Sequence, residues 1–282
     1  MRFSLILIFI ASLFIQADHP AYLIYTPKGK STKFKKLVKE AQAADVVLFG
    51  ELHNQTIGHW LQLELLKALQ QGDKAVVLGA EMFESDDQLK IDEYFSGTIP
   101  EKNFRTESKL WDNYGTDYAP IVNFAKANDI PFVGTNVPRR YASYAARNGL
   151  DALSELTADA QKFLPPLPVE MDEELPGYKA MSGMGAAHGM KYIAQAQALK
   201  DATMAHFILE NWSEGEVFLH LNGAYHSKNK EGIYWYLKQA NPELNILTIS
   251  MATLEDLSEP DEEFLEQADF LIAIPENMMT SY

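Results

Sequence analysis

Two tetrapeptides of the form Gly-x-x-His each follow a hydrophobic run. The first, Gly50–His53, follows Asp45–Phe49, and the second, Gly223–His226, follows Val217–Asn222. A short apolar run that ends in Gly and then offers polar side chains is typical of a buried strand leading into a loop. In open α/β sheets, ligands bind at the loops that follow the carboxyl ends of the strands. We therefore expect the two histidines, although distant in sequence, to share one site.

The amino-terminal segment has the pattern of an export signal. Arg2 precedes an apolar run of about a dozen residues, and the small residue Ala17 precedes Asp18. The run is short for a membrane span, so we interpret residues 1–17 as a signal peptide, with an uncleaved amino-terminal anchor as the alternative. The sequence thus predicts an exported protein, periplasmic or associated with the outer membrane, with a single α/β domain over residues 18–282.

Cysteine content and net charge exclude several function classes. The chain has no cysteine, which rules out disulfides, thiolate metal ligands, a cysteine nucleophile and a lipid anchor attached to cysteine. The formal net charge of −15 argues against nucleic acids and anionic lipid surfaces as partners. Metal cations and small ligands are more compatible with this charge.

Strand-like and helix-like patterns alternate through most of the chain. The predicted strands are residues 21–26, 46–49, 75–79, 130–135, 217–221, 244–250 and 270–274. The predicted helices are residues 31–43, 54–71, 86–95, 118–128, 141–147, 190–212 and 231–239, and Asn54 is expected to cap the second helix. This alternation predicts an α/β fold with a mostly parallel sheet flanked by helices. Prolines and glycines between residues 149 and 189 predict an irregular, partly helical insertion or lid.

Four predicted strand ends supply polar side chains that suit chemistry. They are Glu51 with His53, Glu81, Asn136 with Arg139, and Asn222 with His226. Imidazole and carboxylate groups together suit a divalent metal, with His53, Glu81 and His226 as ligands. The same groups also suit general acid–base catalysis near neutral pH. The alternative is that these side chains only tie loops to helix ends through hydrogen bonds.

Asp201 and Arg139 are candidate site residues for a different reason. Asp201 lies on an otherwise apolar face of its predicted helix, where a carboxylate is costly unless it is paired or ligated, and Arg139 is a plausible partner. Arg139 and Arg140 also follow Pro138 at a predicted helix start, which favours an anion site for a carboxylate or propionate. The alternatives are a structural buried salt bridge and a surface pair of arginines.

Aromatic and histidine side chains in and after the insertion could contact a large flat ligand. Tyr178, His188 and Tyr192 lie among several methionines, and Tyr225 lies beside His226. Flexible apolar side chains can pack against a haem, and haem iron accepts either Tyr or His as a ligand. The alternative interpretation is ordinary loop packing.

Five segments of the chain, taken in order, resemble the ChaN-like haem-binding family. This family belongs to a superfamily with the Tiki and TraB proteins and the erythromycin esterases. The segments are Gly50–His53, Gly79–Met82, Asn136–Arg139, Gln197–Ala205 and Gly223–His226. They extend over roughly residues 45–230, which is most of the chain.

The resemblance implies an α/β fold with the site at the strand ends. It also implies haem binding linked to iron acquisition, with a homodimer that pairs two haems. In that picture a Tyr ligates the iron with a His nearby, so Tyr178, Tyr192 and Tyr225 are the candidates. ChaN-like members are often lipoproteins, and the lack of cysteine excludes such an anchor here. We therefore expect an exported haem-binding protein that serves iron or haem acquisition.

A likeness to the Tiki proteins implies a second function. In those relatives, paired Gly-x-x-His motifs and a Glu imply metal-dependent peptide hydrolysis. Glu51, His53, Glu81 and His226 match that pattern. The alternative hypothesis is therefore a hydrolase of peptides or esters in which Mn, Co or Zn activates water and Glu51 or Glu81 acts as the base.

Overall fold

The computed structural model describes residues 19–182 and 190–282, where eight strands form one sheet. The strands are β1 (Leu23–Tyr25), β2 (Ser31–Thr32), β3 (Val46–Glu51), β4 (Ala75–Glu84), β5 (Phe132–Asn136), β6 (Glu216–Gly223), β7 (Ile246–Leu254) and β8 (Phe270–Pro275). Their order across the sheet is β2-β1-β8-β7-β3-β6-β4-β5. Strands β3 to β8 pair in parallel, and only β1 and β2 are antiparallel, at one edge. The predicted α/β class with a mostly parallel sheet is confirmed.

Helices connect the strands and cover the sheet. They are α1 (Phe34–Ala43), α2 (Thr56–Gln70), α3 (Gln88–Phe95), α4 (Glu101–Glu107), α5 (Ala119–Ala127), α6 (Arg139–Asn148), α7 (Ala158–Gln161), α8 (Pro176–Met181), α9 (Ile193–Asn211), α10 (Ile233–Ala240) and α11 (Glu262–Leu265). A π-helical turn, Tyr114–Tyr118, precedes α5. Within the described ranges, none of these helices combines the length and apolar character needed to cross a membrane.

The central strand β3 explains why helices flank both faces of the sheet. Val46, Val47, Leu48 and Phe49 are all fully buried. Because side chains alternate between the two faces of a strand, Val47 and Phe49 pack in the cluster that contains α2, whereas Val46 and Leu48 pack in the cluster that contains α9 and α10. Burying each such side chain stabilises the fold by roughly 1.5–3 kcal/mol. A continuous apolar run is therefore what this position in a parallel sheet requires.

Parallel pairing brings the candidate residues to one edge of the sheet. Glu51 at the end of β3 lies opposite Gly223 at the end of β6, and Glu84 at the end of β4 pairs with Asn136 at the end of β5. The loops that follow these strands leave the sheet on the same side. The fold therefore places the carboxyl ends of four strands around one space, which is where ligands bind in sheets of this type.

Several local predictions differ from the structure. Ser31 and Thr32 form β2 rather than the start of α1, because they pair with Tyr25 and Ile24 of the edge strand β1. Helix α2 begins after Gln55 and has no side-chain cap, so Asn54 is not its cap. Strand β4 continues five residues beyond its predicted end, to Glu84, as the register against β5 shifts between Ala80 and Glu84.

Gly50 is required by the packing of β3. A Cβ at this position would lie 2.9 Å from the backbone of Ala224 and 2.9 Å from the carbonyl oxygen of Ile249. We expect Gly50→Ala to lower the free energy of unfolding by about 1–3 kcal/mol, because backbone cannot move aside as a flexible side chain can. Denaturant unfolding of the purified chain measures this loss.

The matched control is Gly115→Ala. A Cβ there would meet only the end of the Arg105 side chain, at 3.5 Å, so the expected change is within about 0.5 kcal/mol. Equal losses for the two variants would contradict the argument.

Candidate functional site

His53 of the first Gly-x-x-His segment lies on the wall of a pocket, with one ring nitrogen held by a buried carboxylate. Its Nδ1 lies 2.9 Å from Oε1 of Glu51, and its ring packs edge-on against Trp111 with centroids 4.8 Å apart. The other nitrogen, Nε2, lies beside Gly223 in the pocket wall, where a Cβ added to Gly223 would come within 2.7 Å of it. The side chain is 35% exposed. His53 therefore has a fixed ring orientation and one nitrogen available to the pocket.

Glu51 is fixed by a shell of hydrogen-bond donors that the sequence did not indicate. The Tyr118 hydroxyl donates to its Oε1 at 2.6 Å, and the Gln62 side-chain amide donates to Oε2 at 2.6 Å. His59 is buried and lies 3.2 Å from Gln62 and 3.1 Å from the carbonyl oxygen of His53. Both oxygens of Glu51 are thus satisfied inside the protein.

His226 of the second segment is buried between two carboxylates. Its Nε2 lies 3.0 Å from Oε1 of Glu81, and its Nδ1 lies 2.5 Å from Oδ1 of Asp201. The backbone N–H of Gly223 donates to Oε2 of Glu81 at 2.7 Å, and the Gln197 amide lies 3.0 Å from Nδ1 of His226. This arrangement joins β4, the turn after β6 and α9 through one imidazole ring.

The two carboxylates keep the His226 ring charged. Burial opposes the charged ring, but the negative charges of Glu81 and Asp201 outweigh it and raise the pKa of His226 to about 10. Burial likewise disfavours the charged form of Glu81, yet His226 and then His53 hold the pKa of that carboxyl well below its usual range. Burial raises the pKa of Asp201. At neutral pH the Glu81–His226 contact is therefore a buried ion pair.

Asp201 has partners other than the one predicted. The Tyr178 hydroxyl donates to its Oδ2 at 2.7 Å, and His226 contacts its Oδ1. Arg139, the expected partner, is exposed at the start of α6 and has no side-chain hydrogen bond or ion pair within residues 19–182 and 190–282. The cost of burying Asp201 is therefore offset by an imidazole and a phenol rather than by a guanidinium.

The predicted metal set is not supported by the described residues. No group of three or more His, Asp or Glu side chains there is arranged to hold a metal ion. The physical reason is that both nitrogens of His226 already contact carboxylates, so neither is available as a ligand. His53 and Glu81 do lie near each other, because a Cβ added to Gly223 would be 2.7 Å from Nε2 of His53 and 3.5 Å from Oε2 of Glu81. Burial lowers the pKa of His53, but the hydrogen bond with Glu51 and the charge of Glu81 outweigh burial and raise it.

A pocket of about 1430 Å³ opens at the strand ends, and we refer to it as the strand-end pocket. Its wall includes both histidines and four candidate residues of the sequence, Glu51, Glu81, Asn136 and Arg139. Apolar side chains form another part of the wall, namely Leu52, Met82, Leu110, Trp111, Val137 and Met181. This volume exceeds the roughly 300–1000 Å³ of common small-molecule sites, so the pocket has room for a large ligand.

The candidate haem ligands lie in different environments. Tyr225 lines the strand-end pocket, is 36% exposed and donates its hydroxyl hydrogen bond to the carbonyl oxygen of Gly177 at 2.7 Å. Tyr178 is buried with its hydroxyl on Asp201, and Tyr192 does not line the pocket. His188 lies outside the described residues. Among the three tyrosines, only Tyr225 is both exposed and in the pocket wall.

Cationic side chains are also part of the pocket wall. Lys109 and Arg140 form ion pairs with the acidic side chains of Glu84 and Asp86. Lys200, like Arg139, has no such partner in the described part of the chain and lines the pocket. At the predicted anion site at the start of α6, Arg139 is therefore available to a ligand, whereas Arg140 is paired with Asp86.

We expect His226→Ala to be strongly destabilising, because it leaves Glu81 and Asp201 buried without their cation. The expected loss is about 3–5 kcal/mol in the free energy of unfolding, measured by denaturant titration. The control is His53→Ala, for which about 1 kcal/mol is expected, since Glu51 keeps its bonds to Tyr118 and Gln62. Similar losses for the two variants would show that the buried Glu81–His226 pair contributes no more to the free energy of unfolding than His53 does.

The same pair predicts a pH dependence of stability. The folded-state pKa of His226 is raised from 6.5 to about 10, so its contribution is complete below pH 6.5 and is lost as the pH rises toward 10. We expect the stability difference between the wild-type chain and His226→Gln to shrink over this interval. Unfolding titrations at several pH values measure the difference, and a gap that stays constant would contradict the prediction.

Several solved structures share this fold. The chain is similar to ChaN of Campylobacter jejuni, in a structure described as showing cofacial heme binding, with a TM-score of 0.66 and 20% identity over 89% of this chain and 96% of that one. It is also similar to a mutant of the erythromycin esterase EreC in its open conformation, with a TM-score of 0.51 and 11% identity over 89% of this chain and 97% of that one. A succinoglycan biosynthesis protein gives a TM-score of 0.51 and 14% identity over 86% and 90% of the two chains. These likenesses show the fold.

A comparison with curated protein sequences found no match. The family described as "Haem-binding uptake, Tiki superfamily, ChaN" matches residues 37–237, which include both Gly-x-x-His segments and the helix that carries Asp201. The match covers more than half of the chain, and the resemblance predicted from five short segments is confirmed. The protein belongs to the ChaN family of haem-binding uptake proteins within the Tiki superfamily.

Proposed function

We propose that this protein binds haem in the strand-end pocket and serves haem or iron uptake outside the cytoplasm. Membership of the family supports the kind of function. The observation that supports this location for the haem is the pocket of about 1430 Å³, whose wall combines apolar side chains with Tyr225 and His53. A haem needs these features, because it is a large flat apolar ring with an iron that accepts phenolate or imidazole ligands.

The side chains of the pocket fit the two chemical parts of a haem. Trp111, Leu110 and Met181 offer apolar surface for the ring. Arg139 and Lys200 offer positive charge for the propionates, and neither is used by an acidic neighbour in the described ranges. The haem iron would supply a coordination position for one protein side chain.

Tyr225 is the iron ligand that we propose. Burial, with the charges of Glu231 and Asp201, raises the pKa of its phenol, which is therefore neutral and hydrogen-bonded to Gly177 in the free protein. A metal ligand must lose its proton, so ligation would replace that hydrogen bond. The Lys228 ammonium lies 4.7 Å from the centre of the Tyr225 ring and would favour the phenolate.

His53 supplies the second polar contact in this proposal. Its Nδ1 is held by Glu51, and its Nε2 is left for the pocket. An imidazole that donates one N–H to a carboxylate is held in one orientation and made more basic at its other nitrogen. His53 is therefore suited to contact a haem or a haem-bound ligand, and His226 is not, because both of its nitrogens are occupied.

Export and dimer formation are parts of the proposal that the strand-end pocket does not support. The apolar segment before Ala17 supports export, and a periplasmic or outer-membrane location is compatible with a role in uptake. A homodimer that pairs two haems is implied by the family resemblance alone. The metal-dependent hydrolase has less support, since the described residues do not form its metal site.

Haem titration of the full-length chain tests the proposed site. We expect a saturable Soret band with the wild-type chain, and at least about tenfold weaker binding with a changed spectrum for Tyr225→Phe, because the phenolate ligand is lost. The matched control is Tyr192→Phe, which should bind as the wild type does, since Tyr192 lies outside the pocket wall. Unchanged haem binding and spectra in both Tyr225→Phe and His53→Ala would overturn the proposed site.

A further inference from the structure

A quarter of the lysines and arginines of this acidic protein lie in one short segment, outside the Gly-x-x-His segments. Six of its 24 lysines and arginines lie within residues 28–39, and no Asp or Glu occurs from His19 to Lys39. All six are exposed, namely Lys28, Lys30, Lys33, Lys35, Lys36 and Lys39. The net charge of −15 therefore hides a local region of the opposite sign.

Four of these lysines surround one groove between the edge strand β2 and helix α1. The groove has a volume of about 650 Å³. Its lining consists of four lysines, two hydroxyl residues, one apolar residue and one amide, namely Lys33, Lys35, Lys36, Lys39, Ser31, Thr32, Val38 and Gln42. We name it the lysine groove. Ammonium and hydroxyl groups are the donors that phosphate oxygens accept from, so the lining is suited to an anion that bears a phosphate.

The lysine groove has few acidic neighbours to neutralise it. Lys36 forms an exposed i,i+4 pair with Glu40 at 3.6 Å, which contributes little in water. Lys33, Lys35 and Lys39 have no ion-pair partner in the part of the chain that the structure describes. Helix α11, which is acidic at Glu262 and Glu263, contacts the turn at Gly29 through Leu265. It therefore lies nearer to Lys28 and Lys30 than to the groove.

We infer that the lysine groove binds the phosphate of an anionic phospholipid and docks this face of the protein on a membrane surface. The openness of the patch favours a membrane over a soluble anion. The lysines lie exposed along the sheet edge and helix α1 rather than in an enclosed site, so one extended anionic surface can contact several of them together. Each lysine of a basic patch adds to its electrostatic attraction to an anionic membrane surface.

The net charge of the whole chain does not describe the charge at the lysine groove. The value of −15 argues against anionic lipid as a general partner, because most of the surface is repelled. At physiological salt, however, charges interact over only about 8 Å, so a partner at the lysine groove experiences the lysines rather than the whole molecule. Orientation on the membrane then follows from charge asymmetry.

Vesicle binding of the full-length chain tests the inference. The measured quantity is the ratio of partition coefficients for phosphatidylcholine vesicles with and without phosphatidylglycerol, which cancels any contribution of the apolar amino terminus. We expect the triple variant Lys33→Gln, Lys35→Gln, Lys39→Gln to lower this ratio by at least about tenfold, and the wild-type ratio to fall as salt is added. The matched control changes Lys102, Lys162 and Lys179, also exposed, to Gln and should keep the wild-type ratio.

Each remaining outcome decides against the inference. Equal losses in the two triple variants would assign the effect to total charge, and a wild-type ratio near unity would exclude anionic lipid. Binding of glycerol phosphate in solution without vesicle binding would make the groove a soluble-anion site. Tighter binding of DNA than of anionic vesicles, lost in the groove variant alone, would assign the groove to a polyanion.

Thermal unfolding of both triple variants should match the wild type, because the exchanged side chains are on the surface.

Discussion

The buried imidazole of His226, placed between Glu81 and Asp201, is the interaction on which the site depends. It joins strand β4, the turn after β6 and helix α9, which are distant in sequence. Two ionised carboxylates buried around one ring are costly without a cation, and the charged ring supplies it. An ion pair therefore fixes the wall of the strand-end pocket. Removing the imidazole would leave the desolvation free energy of both carboxylates without compensation.

The two Gly-x-x-His segments look equivalent in sequence but have different roles. His226 has both nitrogens in contact with carboxylates and almost no exposure, so it is positioned to hold the fold. His53 gives one nitrogen to Glu51 and keeps the other at the pocket, so it is positioned to contact a ligand. The difference arises from the partners that other elements bring, Asp201 from α9 in one case and Glu51 with Tyr118 in the other.

The net charge of −15 does not describe the local charge at either proposed binding region. The strand-end pocket includes Arg139 and Lys200 without acidic partners in the described ranges, which suits the carboxylates of a haem. The lysine groove is a second region with cations that are unpaired in the described part of the chain, and it lies at the edge strand β2 rather than at the carboxyl ends of the strands. Acidic residues elsewhere in the chain outnumber these cations and give the net charge of −15.

The sequence by itself determined the α/β class, seven of the eight described strands and the edge at which polar groups gather, because continuous apolar runs such as Val46–Phe49 are what a strand buried on both faces requires. It also determined the family, through short segments that the match over residues 37–237 confirms. Only the tertiary structure decided which partners these groups have: Asp201 binds His226 and Tyr178 instead of Arg139. Periodicity reports which face of an element is buried, but not which side chain of another element meets it there, since that depends on register and packing between segments far apart in sequence.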